Sequence, residues 1–373
     1  MGMYIWYGFL IAMIVAEAVY FLFRFKRFNF VQKLSKGSKK IQYAIASIPV
    51  LVLIVLALFN MVQTAIVGMY LMIIWLICDL VGVIIRKFTK KSYKIYIAGI
   101  VAIALTIIFF GYGYYNAHNI QKTEITVKTD KVIATQGETL GKKPLKIAMF
   151  SDCHVGTMFD GKKFKAICKD IMKNEPDIVL IPGDYVDDDT SKEDMIEATK
   201  ALGEMKPKYG VYMTLGNHDR AYFRYRDFST KDLKNELSKN NVNLMLDDVR
   251  IPYGGFYVIG RKDKFDKPRK TTEKLMETVD NKKYFTIVLD HQPNDFDGEA
   301  KAEPDLVVCG HTHGGQLIPL GWATDIFRTN DCRYGEVKRG KTTFFTTSGI
   351  AGWGLPFKTG AKSEYVIINV EHK

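Results

Sequence analysis

Cysteine is scarce in this chain of 373 residues: there are five, none in a Cys-x-x-Cys pair, so no structural zinc site of thiolates is available. Cys78 falls in an apolar run, and Cys153 and Cys309 stand inside strand-end motifs with their own geometry. Only Cys168 and Cys332 remain as a pair, and no disulfide framework is expected. Low-complexity tracts and internal repeats are missing as well, which excludes disordered and fibrous classes. Acidic side chains are nearly absent from residues 1–117, where 12 Lys and Arg face only Glu17 and Asp79. Residues 118–373 hold 40 basic and 38 acidic side chains, so the net charge of +12 belongs to the N-terminal third. That distribution argues against nucleic acid as a partner, because the larger part of the chain has no basic excess.

What the N-terminal third does have is four long apolar stretches, Met3–Phe23, Gln42–Val62, Ala65–Ile85 and Ile95–Tyr114. Each is close to the roughly 20 residues that cross a bilayer as a helix, and none shows a polar face at helical period. Four transmembrane helices are therefore expected within residues 1–117. Arg24, Lys26, Arg27, Lys33, Lys36, Lys39 and Lys40 separate the first two, and Arg86, Lys87, Lys90, Lys91 and Lys94 separate the last two. The link at Gln63-Thr64 carries no charge. Lys and Arg collect in cytoplasmic loops, so both termini and the C-terminal part are expected outside the cytoplasm. The first span lacks a basic n-region and contains Glu17, so it is expected to be retained. Glu17 and Asp79, acidic residues inside spans, are read either as a functional or pairing site or as hydrogen-bonding between helices or lying near an interface.

Residues 118–143 read as a linker and a first strand, Glu124–Val132, ahead of a domain at 144–373. There, strands first alternate with helical patterns and then cluster, which indicates a layered α/β fold. Five strand ends carry the chemistry. Leu145–Phe150 runs into Ser151-Asp152-Cys153-His154, Asp177–Ile181 into Gly183-Asp184, and Gly210–Leu215 into Gly216-Asn217-His218-Asp219. Tyr284–Leu289 runs into Asp290-His291, and Asp305–Cys309 into Gly310-His311-Thr312-His313. Open α/β folds place their sites at such an edge. Five of the seven histidines fall there, while His118 and His372 read as ordinary surface or packing residues. A mixed carboxylate, imidazole and amide set suits divalent Mn, Fe or Zn, and its size exceeds one coordination sphere, so two metal ions are expected.

The ordered series Asp152-x-His154, Gly183-Asp184, Gly216-Asn217-His218-Asp219, His291 and Gly310-His311-Thr312-His313 resembles the calcineurin-like metallophosphoesterase superfamily, from about residue 145 to the end. Gly314-Gly315-Gln316 and the Gly-rich stretch 348–360 are similar to the bacterial membrane-associated phosphodiesterase branch of the YkuE and YaeI type. Lys358 and Ser363-Glu364 stand near places where that branch often has Arg and Pro-Glu. The resemblance implies an α/β/β/α sandwich of two β-sheets flanked by helices. It implies that Asp152, His154 and His313 hold one metal, that Asn217, His291 and His311 hold the other, and that Asp184 bridges them. His218, adjacent to Asn217 but facing the other way in an extended exit, is expected to be free to touch the substrate and to stabilise the developing charge or protonate the leaving oxygen, with Asp219 as the partner that keeps it cationic.

The expected function is a membrane-anchored, extracytoplasmic two-metal phosphodiesterase acting on a lipid-headgroup or cell-envelope phosphoester, with membrane lipids as neighbours. Two alternatives stay open. One is a phosphomonoesterase or protein phosphatase using the same site, and the other a non-catalytic metal-binding sensor or transporter accessory. The run Tyr222–Phe228, and Trp353, Leu355 and Phe357, are read either as packing inward or as touching headgroups. Asp187-Asp188-Asp189 is read as a solvated start to the helix that follows.

Overall fold

The computed structural model describes residues 2–90, 95–133, 144–221, 226–252 and 255–373. Two compact units divide between Tyr112 and Gly113, ahead of the boundary expected after residue 117. The first holds α1 (Gly2–Phe25), a short α2 (Asn29–Leu34), α3 (Lys39–Phe59), α4 (Met61–Thr89) and most of α5 (Ile97–His118). The long helices α1, α3, α4 and α5 are each apolar and long enough to cross a membrane. The break between the second and third lies at Asn60 rather than at Gln63-Thr64. Asn60 is extended, and its side chain accepts the Gln63 N–H at 2.9 Å, capping α4 earlier than hydropathy places the turn. Lys91 and Lys94 of the next loop lie outside the described residues. Glu17 is buried against Gly68, where any Cβ would overlap its carboxyl group. Asp79 accepts from Tyr96 Oη at 2.7 Å and pairs with Arg24 at 2.9 Å and Arg27 at 3.2 Å. Asp79 therefore serves a contact between helices, whereas the two carboxylate oxygens of Glu17 have no hydrogen-bond partner among the described residues.

The second unit contains two six-stranded sheets. The first is built from β1 (Gln121–Thr129), β2 (Leu145–Met149), β3 (Ile178–Pro182), β4 (Val211–Thr214), β5 (Val242–Leu244) and the last strand β12 (Glu364–His372), in the order β1-β12-β2-β3-β4-β5. The strand expected at Glu124–Val132 starts three residues earlier. It follows α5 almost directly and runs parallel to β12 from the pair Gln121 and Glu364 to the pair Thr129 and His372. The second sheet comprises β6 (Asp248–Arg250), β7 (Tyr257–Gly260), β8 (Thr286–Leu289), β9 (Leu306–Cys309), β10 (Gly335–Arg339) and β11 (Thr342–Thr346), in the order β10-β11-β9-β8-β7-β6.

Alternation on the central strands decides the layers. Ile147 and Met149 of β2 and Ile178 and Leu180 of β3 meet Val258, Phe285, Ile287, Leu306 and Val308 in the core between the sheets. The intervening Ala148, Val179 and Ile181 face α6 (Gly161–Met172), α7 (Lys192–Met205) and α8 (Thr230–Lys239), which cover the first sheet with Phe164, Ile171, Met195, Leu202 and Leu233. On the outer side of the second sheet, Val288, Val307 and Phe344 pack against α9 (Thr272–Met276) and α10 (Phe296–Ala302). A last short helix, α11 (Leu320–Ile326), lies between β9 and β10 in sequence. The architecture is the expected α/β/β/α sandwich. All five cysteines are free.

Candidate metal centre

Strands β2, β3 and β4 run parallel to one another, as do β8 and β9, so each sheet delivers its strand ends to one edge. Asp152, His154, Asp184, Asn217, His291 and His313 are all buried there, and His311 stands beside them. Two groups form. The ligand atoms of Asp152, His154 and His313 lie within 4.8 Å of one another, and so do those of Asp184, His291 and His311. Asn217 Oδ1 joins the second group, 3.2 Å from His291 Nε2. Asp184 Oδ2 faces both, at 3.0 Å from His291 Nε2 and 3.9 Å from His154 Nε2.

The backbone is bent hard to achieve this. Asp152, His154, Asp184, His311 and His313 all have positive φ, between 39° and 73°, a conformation that non-glycine residues adopt at a cost of about 1 kcal/mol or more each. Neighbouring glycines make room. A Cβ on Gly216 would overlap Asp184 Oδ1, and one on Gly310 would strike Ser151 Oγ and come within 2.5 Å of Asp152 Oδ2.

The hydrogen-bond pattern shows what the pocket is built to hold. His291 Nδ1 donates to the Pro182 carbonyl at 2.8 Å, His154 Nδ1 to Asp187 Oδ2 at 2.9 Å and His313 Nδ1 to the Ala351 carbonyl at 3.2 Å. A ring that is neutral with its proton on Nδ1 then presents a bare Nε2 lone pair. Yet His154 Nε2 and His313 Nε2 stand 3.2 Å apart, and His291 Nε2 faces the oxygens of Asp184 and Asn217. Lone pairs do not confront one another at such distances unless a proton or a metal ion lies between them. Burial disfavours a charged His291, but the Asp184 carboxylate outweighs it and raises the ring to about 10. Burial and the charge of His291 push His311 down to about 4. One ring is thus drawn to a proton while its neighbour is kept from one. The donor set fits a dinuclear divalent-metal site.

Residues 145–315 match the family model described as calcineurin-like phosphoesterase. The chain carries a calcineurin-like metallophosphoesterase domain. An uncharacterized metallophosphoesterase of Campylobacter jejuni is 28% identical over 301 residues, covering 79% of this chain and 76% of that protein. YkuE of Bacillus subtilis, also described as an uncharacterized metallophosphoesterase, is 23% identical over 77% of this chain and 99% of its own length. A Danio rerio transmembrane protein with metallophosphoesterase domain is 26% identical over 71% of this chain, and the alignment spans 61% of that relative. Together with four helices of spanning length, such relatives mark the chain as a membrane protein.

Around the metallophosphoesterase centre, two expectations change. Asp219 is buried and does not serve as the partner of His218: its Oδ1 accepts the N–H groups of Tyr185 at 2.9 Å and Val186 at 3.0 Å, and its Oδ2 that of Gly216 at 2.7 Å. Burial and the nearby Asp184 push it up to about 6. It ties the exits of β3 and β4 together, because the chain turns there and leaves three donors to satisfy. The carboxylate beside His218 is Asp187, whose Oδ1 lies 3.1 Å from His218 Nδ1 while its Oδ2 holds His154. Asp187 and Asp188 are buried rather than solvated. The sequence signal for Asp187 was its position three residues after Asp184 on the same strand exit, which helical periodicity hides.

Lys358 is fully enclosed and donates to the carbonyls of Ser348 at 2.6 Å, Gly349 at 3.2 Å and Ala351 at 3.3 Å. It braces the loop that orients His313 and does not face a substrate. Burial pushes it down to about 7, against the charges of Asp152 and Glu364. Trp353 stays half exposed with its ring 5.5 Å from that of His218, and Leu355 packs inward. Of the run Tyr222–Phe228, residues 222–225 lie outside the described residues, and Phe228 is buried under Arg226.

Proposed function

We propose that this domain is a two-metal phosphodiesterase, acting outside the cytoplasm on a phosphodiester in or beside the membrane. The observation that carries the reading is the pair of inward-facing imidazole nitrogens, His154 and His313, whose outer nitrogens are already committed to Asp187 and Ala351. Asp152, His154 and His313 would hold one divalent ion, Asn217, His291 and His311 the other, and Asp184 both. Mn, Fe or Zn suits this mixed set. When bound, such a pair polarises a phosphoryl oxygen and supplies an activated water for in-line displacement.

The rest is the work of the chain. His218, steadied by Asp187, stands at the rim with 13% of its side chain exposed, where it meets the developing charge or protonates the leaving oxygen. Asp219 keeps the β3 and β4 exits in register. Trp353 offers a flat apolar surface next to His218. The extracytoplasmic side is supported by the Lys and Arg of the first and third loops.

The test is metal-dependent cleavage of aryl phosphodiesters and monoesters by the purified full-length protein with Mn. Diester turnover that is abolished by Asp184→Asn supports the reading. Faster monoester turnover transfers it to a phosphomonoesterase, and a protein that binds no metal and cleaves neither ends it. For orientation, a C-terminal alkaline phosphatase fusion is expected to be active, and an inactive one reverses the topology.

A further inference from the structure

Among the described residues from 119 onward, nine large apolar side chains are exposed, and five of them belong to one stretch of structure: Leu320, Trp322, Ile326 and Phe327 on or next to α11, and Trp353. Ile326 and Phe327 are 74% and 76% exposed, values at which a side chain contributes nothing to the core. No described element of the second unit covers them.

What lies next to this patch is fixed by hydrogen bonds within that unit. Gly113 and Asn116, in the closing turns of the membrane-length helix α5, hold the Gly-rich loop: the Lys358 N–H donates to the Gly113 carbonyl at 2.9 Å, and Asn116 Nδ2 donates to the carbonyls of Lys358 at 3.0 Å and Ala361 at 2.7 Å. That loop in turn holds the approach to α11. The Thr359 N–H donates to the Gln316 carbonyl at 2.7 Å, the Ile318 N–H to Thr359 Oγ1 at 3.1 Å, and Gln316 Nε2 to the carbonyls of Trp353, Leu355 and Phe357. Two layers of bonded backbone thus connect the exit of a spanning helix to α11. Tyr114 and Tyr115 are exposed on the same helix end, 52% and 63%, as aromatic residues at a membrane–water boundary are. Charge agrees. Asp325 of α11 is neutralised by Arg333 at 2.8 Å, while Arg328, next to Phe327, is exposed and has no ion pair among the described residues.

We infer that α11 and the adjoining Trp353 loop form a bilayer-docking surface, in which Leu320, Trp322, Ile326 and Phe327 enter the headgroup and acyl boundary and Arg328 meets lipid phosphate. The surface includes the loop that braces His313, so docking sets the mouth of the metal centre at lipid-headgroup depth. Only this catalytic consequence rests on the phosphoesterase reading.

The experiment uses the full-length protein in phosphatidylethanolamine and phosphatidylglycerol vesicles, with a nitrobenzoxadiazole probe on Phe327→Cys or, as a control, on Lys173→Cys, both in a Cys78→Ser background. Emission from position 327 is expected to shift to the blue and to be quenched by headgroup-proximal nitroxide lipid, while position 173 shows neither. Probe emission at 327 like that at 173 overturns the proposal. A blue shift without lipid quenching also overturns it, since the patch is then covered by protein, such as a second copy of the chain. For the catalytic consequence, Trp322→Ser with Phe327→Ser is expected to slow cleavage of a vesicle-embedded phosphodiester by about tenfold or more, the loss of one modest burial term, with soluble aryl phosphodiester turnover unchanged. Equal rates on the embedded substrate refute that consequence. Failure of the phosphoesterase reading is distinguishable, because it removes soluble turnover from the unmutated protein while leaving the quenching intact.

Discussion

Replacing Lys358 by Met keeps the length of the side chain and removes its charge, which isolates what the buried ammonium does. Three carbonyl oxygens, those of Ser348, Gly349 and Ala351, lose their donor in an enclosed space. Hydrogen bonds to charged groups contribute about 1.5–3 kcal/mol each, but burying an ammonium opposes them, and a net loss of about 2 kcal/mol at pH 7 is expected. The pH dependence separates the two effects. Burial lowers Lys358 to about 7 in the folded protein, whereas a Lys in the unfolded chain keeps its proton to about 10.4. Between those values unfolding takes up a proton, so this group makes stability rise with pH, by at most about 1.4 kcal/mol per pH unit. Below pH 7 the ammonium is charged in both states and its burial penalty is fully felt. Thermal melts of the full-length protein in one detergent, at steps from pH 7 to 10, should show a stability gap between wild type and Lys358→Met that widens with pH. Parallel profiles would refute the account of a buried, mostly neutral Lys358 above pH 7. The Ala351 carbonyl, freed of one partner, should also orient His313 less firmly, and calorimetric metal titration should find one of two binding events weakened.

Asp187→Asn should weaken metal binding by about 10- to 100-fold, the usual effect of losing a carboxylate behind a ligand histidine, and should also lower kcat through His218. His218→Asn is expected to cut kcat by about 10²–10⁴ while leaving metal stoichiometry intact, and lost metal instead would make His218 a ligand. Gly216→Ala places a Cβ on Asp184 Oδ1 and should abolish tight binding of both ions in a folded protein, as read by metal analysis after gel filtration. Asn60→Ala should cost about 0.5–2 kcal/mol by uncapping α4, with no change in aryl phosphodiester turnover.

Much of the centre was legible in the sequence because its ligands sit directly after strands that hydrophobic runs reveal. Asp152, Asp184 and His311 follow buried strands within three residues, and the parallel order of the sheet does the gathering. The partner of His218 was not legible in the same way. Asp219 is adjacent in sequence, but its short turn points the carboxylate at three backbone donors, and only the tertiary approach of the β3 exit brings Asp187 to the ring. Lys358 was equally opaque, since a Lys in a Gly-rich stretch looks solvated until the carbonyls around it are seen. The membrane helices were clear as spans, yet the turn at Asn60 obeys a capping bond that an apolar average does not register. Charge alone had pointed to a solvated Asp187-Asp188-Asp189, and the fold spends the first of these on two histidines.

The closing turns of α5 have a practical consequence. Asn116 Nδ2 and the Ala117 carbonyl fill hydrogen bonds of Lys358, Ala361 and Ser363, so the enzymatic half does not begin where the sequence turns polar. A soluble fragment started at residue 119 would strip donors from the loop beside the centre and loosen it without touching a ligand, whereas one started at Gly113 would keep them and carry a short apolar stub. The anchor is therefore also a piece of scaffold, and exchanging it for another tether should be tolerated only if that last turn travels with the domain.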